Sequence, residues 1–278
     1  MAVFDQNDTN PPLLIMAAPN GARKSREDHP NLPITIDEVV AEARACHDAG
    51  AAMLHAHIRD DDGNHSLDAG RYRDLLDAMA AMVPGMPCQI TTEKAGRFSP
   101  AEQAACLSGV HPDHASVSIL EITGDQSKEG IDFGSGVLKD AVASGTHLQY
   151  ILYSPDDLTL LHRLYFDGYL PDAPVDVLFV LGRYSADFRS HPDDLDPFLE
   201  GDRGFIRHWM VCAFGPMEYD AMVKAHGLGG QARIGFENNL LLKDGTMASS
   251  SAELIRQMSA GRDVLTGAEA SQLFRSGE

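Results

Sequence analysis

The chain has 278 residues, of which 44% are hydrophobic and 23% are charged, and its formal net charge is −19 at pH 7. This composition is typical of a globular protein and excludes a disordered or collagen-like chain. The acidic balance also argues against nucleic acid and anionic membrane surfaces as partners, because both require a basic binding face.

Short apolar runs alternate with amphipathic stretches along the sequence. We predict strands at residues 13–18, 51–58, 87–92, 115–120, 147–153, 175–181, 206–214 and 232–236. Most of these runs are too apolar for strands with one face in water, which indicates buried parallel strands. We predict helices at residues 36–49, 69–82, 100–107, 156–167, 217–226 and 250–260, and a short terminal helix at residues 268–274.

The number and size of these units indicate the fold class. Eight strand–helix units within about 250 residues is the scale of a (β/α)8 barrel, the TIM-barrel fold. We therefore predict one domain over residues 1–278, with a polar N-terminal extension at residues 1–12 and a C-terminal helix. The alternative is a doubly wound open sheet, which would carry a glycine-rich phosphate-binding turn after a strand. The glycine-rich stretch at residues 227–230 precedes a predicted strand and is interpreted as the end of a helix.

The cysteines and the N-terminus bear on the cellular compartment. The four cysteines are too far apart for a CxxC motif, so neither a cysteine zinc site nor a redox pair is expected. The first twelve residues are polar and lack the apolar core of a secretory signal. No apolar run approaches the ~20 residues that cross a bilayer. We expect a cytoplasmic protein without a membrane segment.

Two histidines at the end of the second predicted strand are the sharpest chemical signal. His55 and His57 lie two residues apart, so both imidazoles point to the same face of the strand. In a barrel this face lies at the C-terminal mouth, where active sites are found. Two neutral imidazoles form part of a site for zinc or another divalent ion. The alternative is a pair of polar residues that are hydrogen-bonded at a strand end.

A carboxylate and a guanidinium lie at the last predicted strand. Glu237 follows this strand and is positioned to give an oxygen ligand to the same metal. Two histidines, one glutamate and an open position form a catalytic zinc pattern. Arg233 lies four residues earlier. The alternatives are a helix-capping or ion-paired carboxylate at Glu237 and a structural ion pair at Arg233.

Five motifs, in this order and spacing, resemble the β-keto acid cleavage enzyme family (3-keto-5-aminohexanoate cleavage enzyme-like). They are Asn20-Gly21-Ala22, His29-Pro30 with Pro33-Ile34-Thr35, Ala49-Gly50-Ala51-Ala52, His55-x-His57-x-Arg59-Asp60, and Arg233-x-Gly235-x-Glu237-x-Asn239. The resemblance extends from Ile15 to the C-terminal helix. It implies a (β/α)8 barrel, a zinc ion or another divalent metal, and a homo-oligomer, either a dimer or a tetramer.

The resemblance also implies a reaction and a set of residue roles. A 3-keto acid reacts with acetyl-CoA as cosubstrate, and the products are acetoacetate and a new acyl-CoA. The implied metal ligands are His55, His57 and Glu237. Arg233 corresponds to an arginine that serves the chemistry. The implied hydroxyl groups for the substrate carboxylate are those of Thr91 or Thr92 and of Ser116 or Ser118.

The sequence departs from the family pattern at residue 238. Relatives carry an aspartate with an acid–base role there, whereas this chain places Asn238 in the catalytic set. An amide takes up no proton at neutral pH, so another group must serve as the base. We predict that Glu93, which follows the third strand, is this base, with Glu121 as the second candidate.

A second departure lies in the loop after the first strand. The type enzyme has a glutamate near the substrate amine where this chain has Arg23, which we predict to be substrate-binding. A positive group there would repel an aminated substrate and favour an anionic or neutral 3-keto acid. We interpret Lys24 as a solvated loop residue and His65 as part of a polar turn. The loop at residues 182–185 follows the sixth predicted strand and is interpreted either as a contact to the substrate or to CoA, or as an ordinary loop.

Two other function classes remain open from the sequence. One is a metal-dependent barrel hydrolase, which would also carry two histidines on an early strand. Such hydrolases usually need further histidines and an aspartate at later strand ends, and this chain does not offer them. The other is a catalytically impaired, metabolite-binding relative, because Asn238 replaces the usual aspartate.

Overall fold

A closed barrel of eight parallel strands organises the computed structural model, which describes residues 11–185 and 187–275. The barrel strands are β1 Ile15–Ala17, β2 Met53–Ala56, β5 Cys88–Thr91, β6 His114–Ser118, β7 His147–Leu152, β8 Val175–Leu181, β9 Ile206–Ala213 and β10 Gln231–Ile234. A two-stranded antiparallel ribbon, β3 Ile58–Arg59 with β4 His65–Ser66, lies outside the barrel. The predicted (β/α)8 barrel is confirmed.

Helices follow the strands around the barrel. They are α1 Ile36–Asp48, α2 Ala69–Met82, α3 Pro100–Val110, α4 Ile119–Ile122, α5 Lys128–Ala143, α6 Pro155–Phe166, α7 Asp196–Leu199, α8 Glu218–Gly227, α9 Ser251–Ser259 and α10 Gly267–Arg275. A 3-10 turn, Pro192–Leu195, precedes α7. Among the described residues, no helix combines the length and the apolar character that crossing a bilayer requires.

Helix α1 shows how local sequence sets these boundaries. Thr35 accepts a hydrogen bond from the Glu38 amide, and the Glu38 side chain accepts one from the Thr35 amide, so a capping box starts the helix. The helix buries Val39, Val40 and Ala43 at three- and four-residue spacing, which turns one stripe toward the barrel.

Two apolar cores hold the fold together. The larger one lies between the strands and the surrounding helices. The smaller one fills the barrel and includes Met16, Met53, Leu178 and Met210. It also includes Phe274 of α10, whose ring packs against histidines on β6, β7 and β9 at the N-terminal ends of these strands. The C-terminal helix therefore closes the barrel at the end opposite the histidine pair.

The structure corrects several predicted boundaries. Residues 119–120, predicted as strand, begin helix α4 because the Ser118 hydroxyl caps it. The second predicted strand divides at His57, and its end turns outward into β3. The last strand ends at Ile234 rather than at residue 236. Helix α5 was not predicted. Residues 1–10 of the predicted N-terminal extension lie outside the described residues.

Candidate active site

Three potential metal ligands converge at the C-terminal mouth of the barrel. One ligand atom each from His55, His57 and Glu237 lies within 4.8 Å of the others. The two Nε2 atoms are 3.2 Å apart, and the Glu237 carboxylate oxygens lie 3.7 Å from His55 Nε2 and 3.4 Å from His57 Nε2. Both histidines are buried, and Glu237 is 10% exposed at its side chain. Strand β2 and the loop after β10 therefore bring residues from opposite ends of the chain together.

Neighbouring amides fix the two histidines. His55 Nδ1 lies 2.8 Å from Gln89 Oε1, which sets Nδ1 as the protonated nitrogen and leaves the Nε2 lone pair free. Asn20 holds the backbone of His57 from both sides, because its Nδ2 donates to the His57 carbonyl and its Oδ1 accepts from the His57 amide. The motif Asn20-Gly21 therefore positions the second imidazole.

Two glycines allow Glu237 to reach the histidines. Gly235 has φ +152°, and a Cβ there would lie 2.3 Å from the Ala18 carbonyl oxygen. This close approach lets the Glu237 amide donate to the same carbonyl at 3.0 Å. Gly21 has φ +63°, and a Cβ there would lie 2.6 Å from Glu237 Cγ. A side chain at position 21 would collide with the Glu237 side chain, and one at position 235 would collide with the Ala18 backbone.

The donor set is one that could hold a divalent metal ion such as zinc. Burial lowers the pKa of His55 well below its usual range, so this imidazole is neutral, as a ligand must be. Burial alone would raise the pKa of Glu237, but the Arg233 guanidinium beside it holds that pKa well below its usual range. Glu237 Oε2 is buried without a hydrogen-bond partner among the described residues. Zn–N bonds of ~2.0–2.1 Å place two tetrahedral nitrogen ligands roughly 3.3 Å apart, close to the observed 3.2 Å.

Arg233 lies beside this cluster with donors to spare. Its Nη2 contacts Glu237 Oε1 at 3.3 Å and Cys212 Sγ at 3.6 Å. Its Nε and Nη1 are buried and have no hydrogen-bond partner within the described part of the chain. A buried guanidinium with unsatisfied donors is suited to bind an anionic oxygen.

A cavity of about 530 Å³ opens above the cluster. Its lining includes Glu237, Asn238 and three cationic side chains, Arg23, Lys24 and Arg183. The interpretation of Lys24 as a solvated residue is wrong. Its Nζ donates to the Glu237 carbonyl at 2.6 Å and lies over the ring of Phe214, and burial lowers its pKa.

Glu93 lines the same cavity between two arginines. Its Oε1 lies 3.4 Å from Arg183 Nη2 and 3.8 Å from Arg23 Nη2. The Arg183 and Glu93 side chains are 7% and 11% exposed, whereas the Arg23 side chain is 52% exposed. The Arg183 pair is therefore shielded from solvent, and the Arg23 pair is not.

The four predicted hydroxyl residues have different environments. Ser116 Oγ is buried without a hydrogen-bond partner among the residues the structure describes. The other three hydroxyls already make contacts. Thr91 accepts from the Glu93 amide, Thr92 donates to the Ser116 carbonyl, and Ser118 accepts from the Glu121 amide. Ser116 is thus the predicted residue with its hydroxyl most available to a ligand.

Glu218 is a site residue that the sequence reasoning missed. It is buried at the start of α8 behind Asn238 and Asn239, and each of its oxygens accepts from one of their side-chain amides at 3.3 Å. Asn238 Nδ2 also donates to the Arg233 carbonyl at 3.0 Å. Burial raises the pKa of Glu218 to about 8, which exceeds the opposing effect of the three donors. A carboxyl group is therefore one hydrogen bond away from position 238. Its location after the seventh barrel strand was the available signal.

His65 differs from its predicted setting, whereas Glu121 follows the fourth barrel strand as predicted. His65 is buried on β4 rather than in a turn, with its ring 5.0 Å from that of His57 and its Nε2 3.0 Å from the Glu93 carbonyl. Glu121, the second candidate base, accepts from the Lys94 amide at 2.7 Å and from the Gln103 side chain. It does not belong to the described lining of the cavity.

Known proteins similar to this chain agree with its architecture. The sequence profile of the beta-keto acid cleavage enzyme family matches residues 12–275. A 3-keto-5-aminohexanoate cleavage enzyme of Acetoanaerobium sticklandii is 29% identical over 94% of this chain and 97% of its own length. A 3-oxoadipate:acetyl-CoA acetyltransferase of Cupriavidus necator is 26% identical over 95% of this chain and 94% of its own.

Solved structures support the fold. The apo structure of ObcA superposes with a TM-score of 0.71 at 19% identity, over 90% of this chain and 66% of the ObcA chain. At this identity the likeness bears on the fold alone.

Proposed function

The chain belongs to the beta-keto acid cleavage enzyme family, and from this membership we propose that it cleaves a 3-keto acid with acetyl-CoA in a metal-dependent reaction. The products are acetoacetate and a new acyl-CoA. The convergence of His55, His57 and Glu237 supports this proposal most directly, because three buried ligand atoms with an open side form a catalytic rather than a structural zinc pattern.

The chain's own residues supply most of the proposed chemistry. A zinc ion, held by the two histidines and the glutamate, would act as a Lewis acid toward the keto group. Arg233 would donate its free Nε and Nη1 to the oxygen on which negative charge develops. The unpartnered hydroxyl of Ser116 would bind the substrate carboxylate. Lys24 and Arg23 would attract the anionic cosubstrate to an acidic protein.

One assay separates the three function classes. Zinc-loaded protein is incubated with a panel of 3-keto acids, with and without acetyl-CoA, and acetoacetate is measured. We expect acetoacetate only in the presence of acetyl-CoA. Breakdown of the acid without acetyl-CoA would identify a hydrolase. A rise in melting temperature with the acid and no turnover would identify an impaired, metabolite-binding relative.

We propose that Glu93 is the base that removes the proton from the carbon between the two carbonyl groups. Its support is its place in the cavity lining, together with the amide at position 238, which takes up no proton. Glu93→Gln should lower kcat by ~10²-fold or more with intact acetyl-CoA, on the scale of general-base catalysis. Steady-state acetoacetate formation measures this effect.

Glu121→Gln is the matched control for this variant. Burial raises the pKa of Glu121 to about 7, and the Glu121 carboxylate accepts a hydrogen bond from the Lys94 amide. Glutamine keeps an oxygen that can accept the same hydrogen bond. We expect a kcat within a few-fold of wild type. A large loss in Glu121→Gln with little loss in Glu93→Gln would assign the base to Glu121.

A further inference from the structure

We propose that Arg183 determines substrate specificity by binding a second acidic group at the far end of the substrate, so that the acid consumed is a 3-keto dicarboxylate. This inference rests on the proposed function, because it places the reacting end of that acid at His55, His57 and Glu237. It assigns the distal group to the part of the cavity lining that carries Arg183.

The hydrogen bonding of Arg183 is incomplete. A guanidinium has five N–H donors in a planar fork that matches a carboxylate. The contact with Glu93 at 3.4 Å is the one side-chain hydrogen bond that Arg183 makes among the residues the structure describes. This contact is long for a charged pair, for which roughly 2.7–2.9 Å is usual. A ligand carboxylate can therefore take the remaining donors.

Aromatic rings enclose the same guanidinium. Its Cζ lies 5.5 Å from the ring centre of Phe214 and 5.7 Å from those of Tyr184 and Phe188. Rings at this distance attract a cation, and the Arg183 side chain is only 7% exposed. An ion pair formed with a ligand there would be screened less than one on the surface.

The loop that carries Arg183 is tied to the barrel. Gly182 has φ +77°, and a Cβ there would lie 2.7 Å from the backbone of Arg189, so the loop turns tightly. Ser190 donates from both its amide and its hydroxyl to the Phe214 carbonyl at 2.8 Å. The guanidinium is therefore positioned before a ligand binds, which reduces the entropy lost on binding.

The charges of the cavity favour a dianion. Its lining carries three cations, Arg23, Lys24 and Arg183, and three acids, Asp28, Glu93 and Glu237. With Glu237 committed to a metal ion, the cations outnumber the remaining carboxylates. A monocarboxylate can satisfy the reacting end alone, whereas a dicarboxylate also neutralises Arg183.

Two acids of equal chain length test this inference. We compare kcat/KM for 3-oxoadipate and 3-oxohexanoate, which differ in a terminal carboxylate and a terminal methyl group. Wild type should prefer the diacid. Arg183→Met should lower the diacid-to-monoacid ratio by about 100-fold, the scale of a buried charge pair losing one partner. Arg183→Lys keeps the charge but not the planar fork of donors, so its diacid-to-monoacid ratio should lie between those of wild type and Arg183→Met. The ratio cancels any effect on chemistry that both acids share.

Arg189→Met is the matched control on the same loop. The Arg189 side chain is 67% exposed and pairs with Asp187, so we expect the ratio of wild type. Equal losses for both acids in Arg183→Met would overturn the inference, because Arg183 would then act on their common carboxylate or on the chemistry. A rise in the KM of acetyl-CoA with an unchanged ratio would also overturn it and assign the anion to a CoA phosphate.

A binding measurement keeps this test separate from the proposed function. We expect adipate, which has no keto group, to raise the melting temperature of wild type more than hexanoate does, and this difference to disappear in Arg183→Met. Turnover of both acids with no preference in wild type would contradict the inference and leave the proposed function intact. Adipate-specific stabilisation without any turnover would support the inference and contradict the proposed function.

Discussion

At the scale of single residues, the site depends on charged groups that are buried together. The Arg233 guanidinium holds the pKa of Glu237 well below its usual range, against the effect of burial. Glu218 has the opposite balance, since burial prevails over three hydrogen-bond donors and raises its pKa to about 8. Both carboxyl groups belong to neighbours of Asn238. Glu237 precedes Asn238 in the chain, and Glu218 accepts a hydrogen bond from the Asn238 side-chain amide. The site therefore combines an obligate carboxylate with a carboxyl group that binds a proton near neutral pH.

Glu218 makes the stability of the folded protein depend on pH, and its raised pKa gives the direction of this dependence. The folded-state pKa of about 8 exceeds the unfolded value of ~4.3, so the native state binds more protons between these values. Native stability should therefore fall as pH rises from about 5 to 8 because of this group. Glu218→Gln removes the titration. We expect the melting temperature of the variant minus that of wild type to rise between pH 5 and pH 9 by on the order of 5 °C.

Thermal unfolding in a series of buffers measures this difference. Glu218→Gln also removes an oxygen that accepts from an asparagine side-chain amide, and this loss shifts the melting temperature by a similar amount at every pH. The readout is therefore the change of the melting-temperature difference with pH and not its absolute size. Glu129→Gln, at an exposed position of α5, is the matched control and should give no such trend. A constant difference for Glu218→Gln would show that Glu218 is already ionised at pH 5.

At the scale of secondary-structure elements, the sequence predicted well those strands and helices that are determined by neighbouring residues. The eight strand positions follow from short apolar runs, and α1 follows from its capping box and its buried stripe. Helix α5 was missed because Gly130, Gly134 and Gly136 make it a poor helix by propensity. Tertiary packing requires two of these glycines, since a Cβ would lie 2.4 Å from the Thr123 carbonyl at Gly130 and 3.0 Å from that of Ile122 at Gly134.

The site was predictable where its residues end a strand. His55 and His57 at β2 and Glu237 after β10 follow from the barrel rule that strand ends meet at one mouth. Lys24, Arg183 and Glu218 lie on loops or at a helix start, and their partners are distant in sequence. No local pattern distinguishes a cation that folds into a cavity from one that stays in solvent. Their roles required the three-dimensional contacts.

At the scale of the whole molecule, the ligand triad joins the two ends of the chain. Strand β1 pairs with β2 on one side and with β10 on the other, so this is where the barrel closes. His55 lies in β2 and His57 directly follows it, whereas Glu237 follows β10. A metal ion bound by all three would therefore stabilise the closed barrel itself, because it binds the folded chain and not the unfolded one.

Metal removal should consequently lower the stability of the entire fold. Zinc at 100 times its dissociation constant contributes ~2.7 kcal/mol, and ~2–4 °C per kcal/mol for a chain of this size gives a shift of roughly 5–10 °C. We expect chelated protein to melt lower by this amount, readdition of one zinc per chain to restore the melting temperature, and His55→Asn to abolish the shift. His111→Asn is the control, because His111 is exposed with φ +50°, a conformation that asparagine adopts readily. A shift that persists in His55→Asn would place the stabilising metal elsewhere, and an equal melting temperature before and after chelation would leave the triad without a bound ion.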